Sequence, residues 1–147
     1  MKNKLIKQIV ELKFDMFKEN KDLYKNILDS NSKKKVIKKY NRLYKEKKIK
    51  HIMIKKKNQI IGLIACININ ENVPYFFYKE NYKVGYIGDF YIHKEYRNQG
   101  FGDILIKKAI KYFNKKNYKV VNLLATQHSM KLFKNNGFKT NNTYLEL

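Results

Sequence analysis

The stretch GDFYIHKEYRNQGFGDILIKKAIKYF, Gly88 to Phe113, changes its period part-way along. Its opening, Gly88–Ile92, is an apolar and aromatic run of strand type. From Asp103 onward, Ile104, Leu105, Ala109, Ile110 and Tyr112 or Phe113 recur at helical spacing. Between them sits Arg97-Asn98-Gln99-Gly100-Phe101-Gly102, which holds two of the six glycines and one of the only two arginines. Glycine lets the backbone turn so that successive N–H groups converge, and the first-turn amides of a helix have no intrahelical acceptor. Strand, turn and helix in that order make a ready site for phosphate or pyrophosphate, with Arg97 adding a charge-assisted contact. The same letters also serve as a plain structural turn. The dinucleotide fingerprint fits poorly, because it needs a third glycine and a later acidic residue, and no Gly-Lys-Ser/Thr follows to make a P-loop.

Working outward, the helix from Asp103 is followed by a short strand, Val120–Ala125. Next come a short helix, Thr126–Asn136, closed by Gly137 at a C-cap position, and a last strand in NTYLEL, 142–147. Upstream, His51–Lys55 alternates, KKNQ reads as a turn and IIGLIACINI as a buried strand, so the three form a hairpin. Near the N-terminus, Leu5, Ile9, Leu12 and Met16 share a helical stripe widened by Ile6, Val10 and Phe17. A second helix, Lys33–Lys48, is capped from Ser30–Ser32 and presents Val36, Ile37, Tyr40, Leu43 and Tyr44. A strand, helix, strand order in the second half requires one parallel pair inside an otherwise antiparallel sheet. The expected fold class is α+β, a mixed and mostly antiparallel central sheet flanked by helices.

The 147 residues suit one domain, 1–147, and no segment has the uninterrupted apolar length of a membrane span. The N-terminus lacks the apolar core and cleavage site of a secretory signal, so a cytoplasmic protein is expected. Cys66, the only cysteine, lies in an apolar run and reads as a small buried hydrophobe. His51, His93 and His128 show no metal spacing, and no metal is expected.

The net charge of +21 raises the prospect of an anionic partner. All but two of the 33 basic residues are lysines, however, and isoleucine, asparagine and tyrosine are abundant too, a bias that A/T-rich codons produce. Arginine, the preferred reader of bases and clamp of phosphates, is nearly absent. A nucleic-acid partner is therefore possible but not favoured. The basic run Lys33–Lys50 reads first as a solvated helix face and second as a polyanion patch.

GDFYIHKEYRNQGFGDILIKKAIKYF, VVNLLAT and MKLFKNNGFK, in that order, closely resemble the GNAT superfamily of acetyl-CoA-dependent N-acetyltransferases over about residues 50 to 147. The resemblance implies acetyl-CoA as cosubstrate, a primary amine as acceptor and a monomer or homodimer. It implies that the amides from Gln99 to Gly102, with Asn98 and Asp103 beside them, hold the coenzyme A pyrophosphate. The strand Phe90-Tyr91-Ile92 would pair with the pantetheine arm, and Val120–Ala125 would splay away to make room. A backbone N–H in Phe90–Ile92 would polarise the thioester carbonyl. Thr126, Ser129 and Phe133 fall at further positions of the coenzyme site, with Thr126 where an asparagine often sits.

One departure is chemical. The tyrosine that in many members protonates the departing thiolate corresponds to Phe133, which has no proton to give. Water could protonate the thiolate, Tyr91 or Tyr144 could substitute, or catalysis could be weak. Asp89 resembles the acid of an Asp-aromatic-aromatic-aliphatic strand seen in several small-amine acetyltransferases. It could hold a water chain or bind a cationic amine, or it could turn to the other sheet face and bond a neighbouring backbone group or a lysine. Tyr86 and Gly88 are expected to share a strand face with Phe90 and border the acceptor pocket.

From Glu71 to Glu95 four acids meet three lysines, a local charge of −1 that leaves +22 for the rest. With Tyr78 and Glu80, this aromatic loop suits a cationic amine, or else packs over the sheet edge. Three functions follow. The first is acetyl transfer to a small-molecule amine. The second is transfer to a protein or RNA-linked amine docked on Lys33–Lys50, and the third is a non-catalytic acyl-CoA-binding or nucleic-acid-binding module.

Overall fold

Two amphipathic helices lead into the sheet, and two more follow its central strand. The computed structural model describes residues 2–21, 29–70 and 83–140. Helix α1 spans Lys2–Glu19 and α2 spans Ser30–Lys45, followed by strands β1 (Ile49–Lys56), β2 (Gln59–Asn68) and β3 (Lys83–Ile92). After a 3-10 turn at Lys94–Tyr96 come α3 (Phe101–Lys115), β4 (Tyr118–Leu123) and α4 (Gln127–Asn135). The strands lie in sequence order; β1–β2 and β2–β3 are antiparallel and β3–β4 is parallel. This is the mixed α+β sheet that the alternation of periods requires. The aromatic loop with Tyr78 and Glu80, and the last strand with Tyr144, lie outside the described residues.

Local chemistry sets the boundaries. The β1–β2 hairpin closes on Lys57 and Asn58, both at positive φ (47° and 64°), which matches the right-handed twist of the strands. The cap of α2 is Asp29, whose carboxylate accepts from the Ser32 amide, so the expectation of a Ser30–Ser32 cap is off by one residue or more. An ionised carboxylate at that position also meets the positive end of the helix dipole, which a serine does not.

The sheet buries both faces. Against α1 and α2 it sets Ile60, Leu63, Ala65 and Tyr91 among Ile6, Ile9, Val10 and Phe17. Against α3 and α4 it sets Ile64, Cys66 and Ile87 among Leu105, Ile106, Phe113 and Phe133. Full burial of one such side chain contributes about 1.5–3 kcal/mol, so a one-residue slip of β2 would forfeit several of these contributions together. Burial pushes the Cys66 thiol up to about 12, which leaves it inert as a nucleophile at neutral pH.

One irregularity in β3 shapes everything near the site. Leu63 pairs with Tyr91 and Ala65 with Gly88, so Ile64 alone faces both Asp89 and Phe90. That is a β-bulge, and Asp89 sits in it at φ 48°. Ile87 and Phe90, three residues apart, consequently pack into the same α3–α4 core, while Tyr91 packs on the α1–α2 side. A Cβ on Gly88 would meet Ile67, which packs on the α1–α2 side. The expected shared face of Tyr86, Gly88 and Phe90 is therefore corrected, because the bulge turns Phe90 to the opposite face.

Three donors hold the bulge. The Asp89 carboxylate accepts from the Lys13 ammonium of α1, the Tyr40 hydroxyl of α2 and His51 Nε2 of β1, the last at 3.1 Å. Lys13 also donates to Tyr40 Oη at 2.8 Å, and His51 Nδ1 meets Tyr44 Oη at 2.7 Å. Burial alone would raise the Asp89 carboxyl. The hydrogen bond from His51 and the Lys13 charge outweigh it and hold the group well below the usual carboxylate range.

A folded-state pKa depressed in this way stabilises the fold above the unfolded value of 3.8 and loses that contribution as the pH falls below it. Asp89→Asn, which leaves Lys13 without its counter-charge, is expected to lose about 3–5 kcal/mol in urea unfolding at pH 7. Lys13→Met should lose a similar amount, and the double variant far less than the sum. The gap between wild type and Asp89→Asn should narrow from pH 4 downward; a constant gap would show that the charge is not what stabilises.

Candidate functional site

β4 stops short of the length of β3. Their last pair is Ile87 with Leu123, while β3 runs on to Ile92 with β2 along its other edge. Between the unpaired edge and the start of α4 opens a cavity of about 930 Å³. Phe90, Thr126, Ser129 and Phe133 line one side of it; Tyr86, Gly88 and Asp89 line it with Lys13 and Tyr40. Residues from both sheet faces meet in one cavity because it passes through the split between the strands. The pairing ends at Leu123, so the expected strand Val120–Ala125 is paired with β3 over its first four residues and leaves it at Leu124.

The glycine turn stands at the head of this split. Asn98 and Gly100 have positive φ (59° and 82°), and Gly100 is the residue before the first turn of α3. The helical ladder starts with the Ile104 amide donating to Gly100 at 3.2 Å. Among the described residues, no amide from Gln99 to Asp103 donates to a backbone carbonyl, which leaves a row of N–H groups at the positive end of a helix.

The two glycines do different work. Around Gly100 there is open space, and only its left-handed backbone requires glycine. A Cβ on Gly102 would come within 2.8 Å of Leu132 Cδ2 and 3.3 Å of Phe90 Cζ, so its bare backbone lets the helix start close down on β3 and α4.

The charged residues of the turn are committed inside the protein. Arg97 donates through Nε to the Ile92 carbonyl (2.9 Å) and through a terminal nitrogen to Glu19 (2.6 Å), with its guanidinium over the Tyr91 ring. Asp103 is neutralised by Lys107 at 2.6 Å and accepts from Asn136 at 2.9 Å, which ties α3 to the end of α4. Any anion at the turn therefore meets main-chain donors before side chains.

Tyr91 donates its hydroxyl to Glu19 at 2.5 Å; burial first and that carboxylate second push its pKa above the ordinary phenol value. Such a hydroxyl is a poor proton donor. Thr126 and Ser129 form a reciprocal capping box at the start of α4. Phe133 is buried edge-on to Phe90 (5.1 Å) and Phe138 (5.4 Å).

Lys13, Glu19, Tyr40 and His51 were not singled out by the sequence as site residues. Lys13 carried a signal, a lysine inside the stripe of Ile9, Val10, Met16 and Phe17. Glu19 carried none. His93 is half-buried beside Tyr96, with Nδ1 lacking a hydrogen-bond partner. Among the described residues no His, Cys, Asp and Glu cluster is arranged to hold a metal, and no helix is long and apolar enough to cross a membrane.

The model of the acetyltransferase (GNAT) family matches residues 10–138. Curated proteins gave no match. Among solved structures, a predicted acetyltransferase from Clostridium acetobutylicum, crystallised with acetyl-CoA, superposes with TM-score 0.79 at 19% identity, covering 99% of this chain and 90% of that one. A GCN5-related N-acetyltransferase from Ralstonia eutropha gives 0.74 at 15% identity over 99% and 93%. An aminoglycoside antibiotic 6'-N-acetyltransferase from Acinetobacter haemolyticus gives 0.63 at 18% identity over 81% and 82%.

An alanine at position 100 must hold a left-handed residue that carries a Cβ, at about 1–2 kcal/mol. Calorimetric titration of Gly100→Ala with coenzyme A should accordingly show about tenfold weaker binding than wild type. Unchanged affinity would remove the turn as the seat of the diphosphate.

Proposed function

The chain belongs to the GNAT acetyltransferase family, and from that premise we propose that it moves the acetyl group of acetyl-CoA to a primary amine on a small molecule, using 1–147 as one catalytic domain. The observation that carries this reading is the split between β3 and β4, with an unpaired strand edge on one side and a row of unbonded amides at its head. Those features fit the coenzyme. The amides from Gln99 to Asp103 donate to the diphosphate, with Asn98 shaping the turn. The edge Phe90–Ile92 takes the pantetheine as an added strand, and Thr126, Ser129 and Phe133 wall it in. A cavity of about 930 Å³ has room for a small acceptor as well. A small acceptor is also what one structural relative uses, an aminoglycoside antibiotic.

Acetyl-CoA supplies an acyl carbon already activated as a thioester. The protein's part is alignment and charge. A backbone N–H of the Phe90–Ile92 stretch meets the negative charge that develops on the carbonyl oxygen. Tyr86 and Gly88 border the acceptor beside Asp89. The neutral amine attacks the acyl carbon, the carbon–sulfur bond breaks, and the extra amine proton passes to water.

Asp89 does not act as the proton acceptor in this scheme, because a carboxylate held so far below its usual range is a weak base. Its charge instead orients Lys13 and Tyr40 at the cavity wall. Tyr91, raised and bonded to Glu19, is likewise not the acid. The thiolate leaves and is protonated by water, which a thiol pKa of about 8.5 permits near neutrality.

Thiol release from acetyl-CoA in the presence of a panel of primary amines tests the reading; coenzyme binding with no release across the panel would overturn it. Phe133→Tyr restores a hydroxyl at the wall of the cavity. With water as the proton source, its kcat should stay within about threefold of wild type, whereas a missing general acid would show as a gain of about 100-fold or more.

A further inference from the structure

The acceptor half of the cavity carries charges that the acetyl-transfer reading leaves without a role. Its acidic residues are Glu46 and Asp89, and both are already matched. Asp89 has accepted from Lys13, Tyr40 and His51. Glu46 lies between Lys48 at 3.2 Å and Arg42 at 3.8 Å. Four basic residues, Lys13, Lys39, Arg42 and Lys48, stand against these two acids on the cavity wall, a surplus of two positive charges among the described residues.

A lysine-rich surface alone would not define a subsite. The position of Lys39 does. On α2, Val36, Lys39, Tyr40 and Leu43 follow the spacing of one helix face, and all four line the cavity. Val36 and Leu43 are apolar and Tyr40 is buried, while Lys39 is exposed and borders that stripe where it lines the cavity. It has no ion-pair partner among the described residues. Arg42 beside it spends one nitrogen on a long 3.8 Å contact and keeps most of its donor fork for something else.

We infer that the acceptor amine carries an anionic group, a carboxylate or a phosphate, and that Lys39 and Arg42 on the α2 wall receive it. The inference rests on the cavity being the acceptor site. An ammonium at a second position of the acceptor would find no unmatched carboxylate on the described wall and two surplus positive charges. An anion would meet a point charge and a fork-shaped donor set suited to it. The long-range field agrees in sign, since a chain of net charge +21 draws anions toward its clefts and repels polycations. The cationic acceptors suggested by the aromatic loop are thus disfavoured by the walls that are described.

The test compares small primary amines of differing charge: ethanolamine, O-phosphoethanolamine, β-alanine and the polycation spermidine. Thiol release gives KM for each, and calorimetry of the same amines against protein saturated with coenzyme A gives affinity without turnover. At least one anionic amine should bind tenfold or more tightly than ethanolamine, and the phosphate and carboxylate arms tell which group is preferred. The advantage should shrink as salt rises from 50 to 200 mM, as charge-driven binding does. Lys39→Glu should abolish the advantage, whereas Lys108→Glu, the same charge change on the exposed side of α3, should keep it.

Equal binding of ethanolamine and both anionic amines, or a preference for spermidine, would overturn the inference while leaving acetyl transfer intact. Absence of thiol release with every amine would count against acetyl transfer, and the calorimetric ranking would still decide the inference.

Discussion

Asp89 brings a full negative charge into the middle of the sheet, and an ion taken out of water is tolerated only where an opposite charge and hydrogen bonds replace its hydration. The replacements come from three different segments, Lys13 on α1, Tyr40 on α2 and His51 on β1. One carboxylate therefore fixes the N-terminal helices against the sheet and holds its own residue in a left-handed bulge. The bulge reverses the parity of β3, sending Phe90 to the α3–α4 side where it packs edge-on to Phe133 and underlies Gly102. Without it, Phe90 would face α1 and α2, and the start of α3 would lose the ring on which it rests. The polar network and the apolar packing around the split are two consequences of one buried charge.

A second clamp works from the same helix. At the end of α1, Glu19 accepts from both Tyr91 and Arg97, and Arg97 reaches back to the Ile92 carbonyl. The chain leaving β3 is therefore fastened to α1 just before it enters the glycine turn. Main-chain donors can be aimed only if the turn itself is held, and here the holding is done by side chains that point elsewhere. In the proposed coenzyme site Arg97 thus matters by holding the turn rather than by touching the anion.

Much of this was legible in the sequence because it depends on local chemistry. The hairpin at Lys57–Asn58, the two helical stripes, the parallel crossover and the Arg97–Gly102 turn all announce themselves within a few residues. The bulge did not, because Gly88-Asp-Phe-Tyr-Ile92 reads as a continuous strand and the residue that faces two of its members, Ile64, lies in another strand. Lys13 was visible as an anomaly in an apolar stripe, but its counter-charge is 76 residues away. The fate of Arg97 depended on Glu19, which nothing local distinguishes from any other acid at a helix end. Ser30 and Ser32 lost the cap of α2 to Asp29 for a reason that ranking by residue type underweights, the charge on the cap.

Phe133 is the one residue where local and long-range chemistry pull against each other. A phenylalanine packed between Phe90 and Phe138 strengthens the core behind the cavity. In the proposed reaction a hydroxyl there would serve the departing sulfur. What a proton donor supplies there is relief of negative charge, and charge can be relieved without moving a proton. The described wall of the cavity carries two more basic than acidic groups, in a chain of net charge +21. In the proposed reaction a positive potential of that kind would favour the leaving thiolate, the more so where water is partly excluded. The same basic excess from which an acidic acceptor is inferred would thus also lighten the demand for a proton at the sulfur. A phenylalanine then gives up little catalysis for the packing it gains.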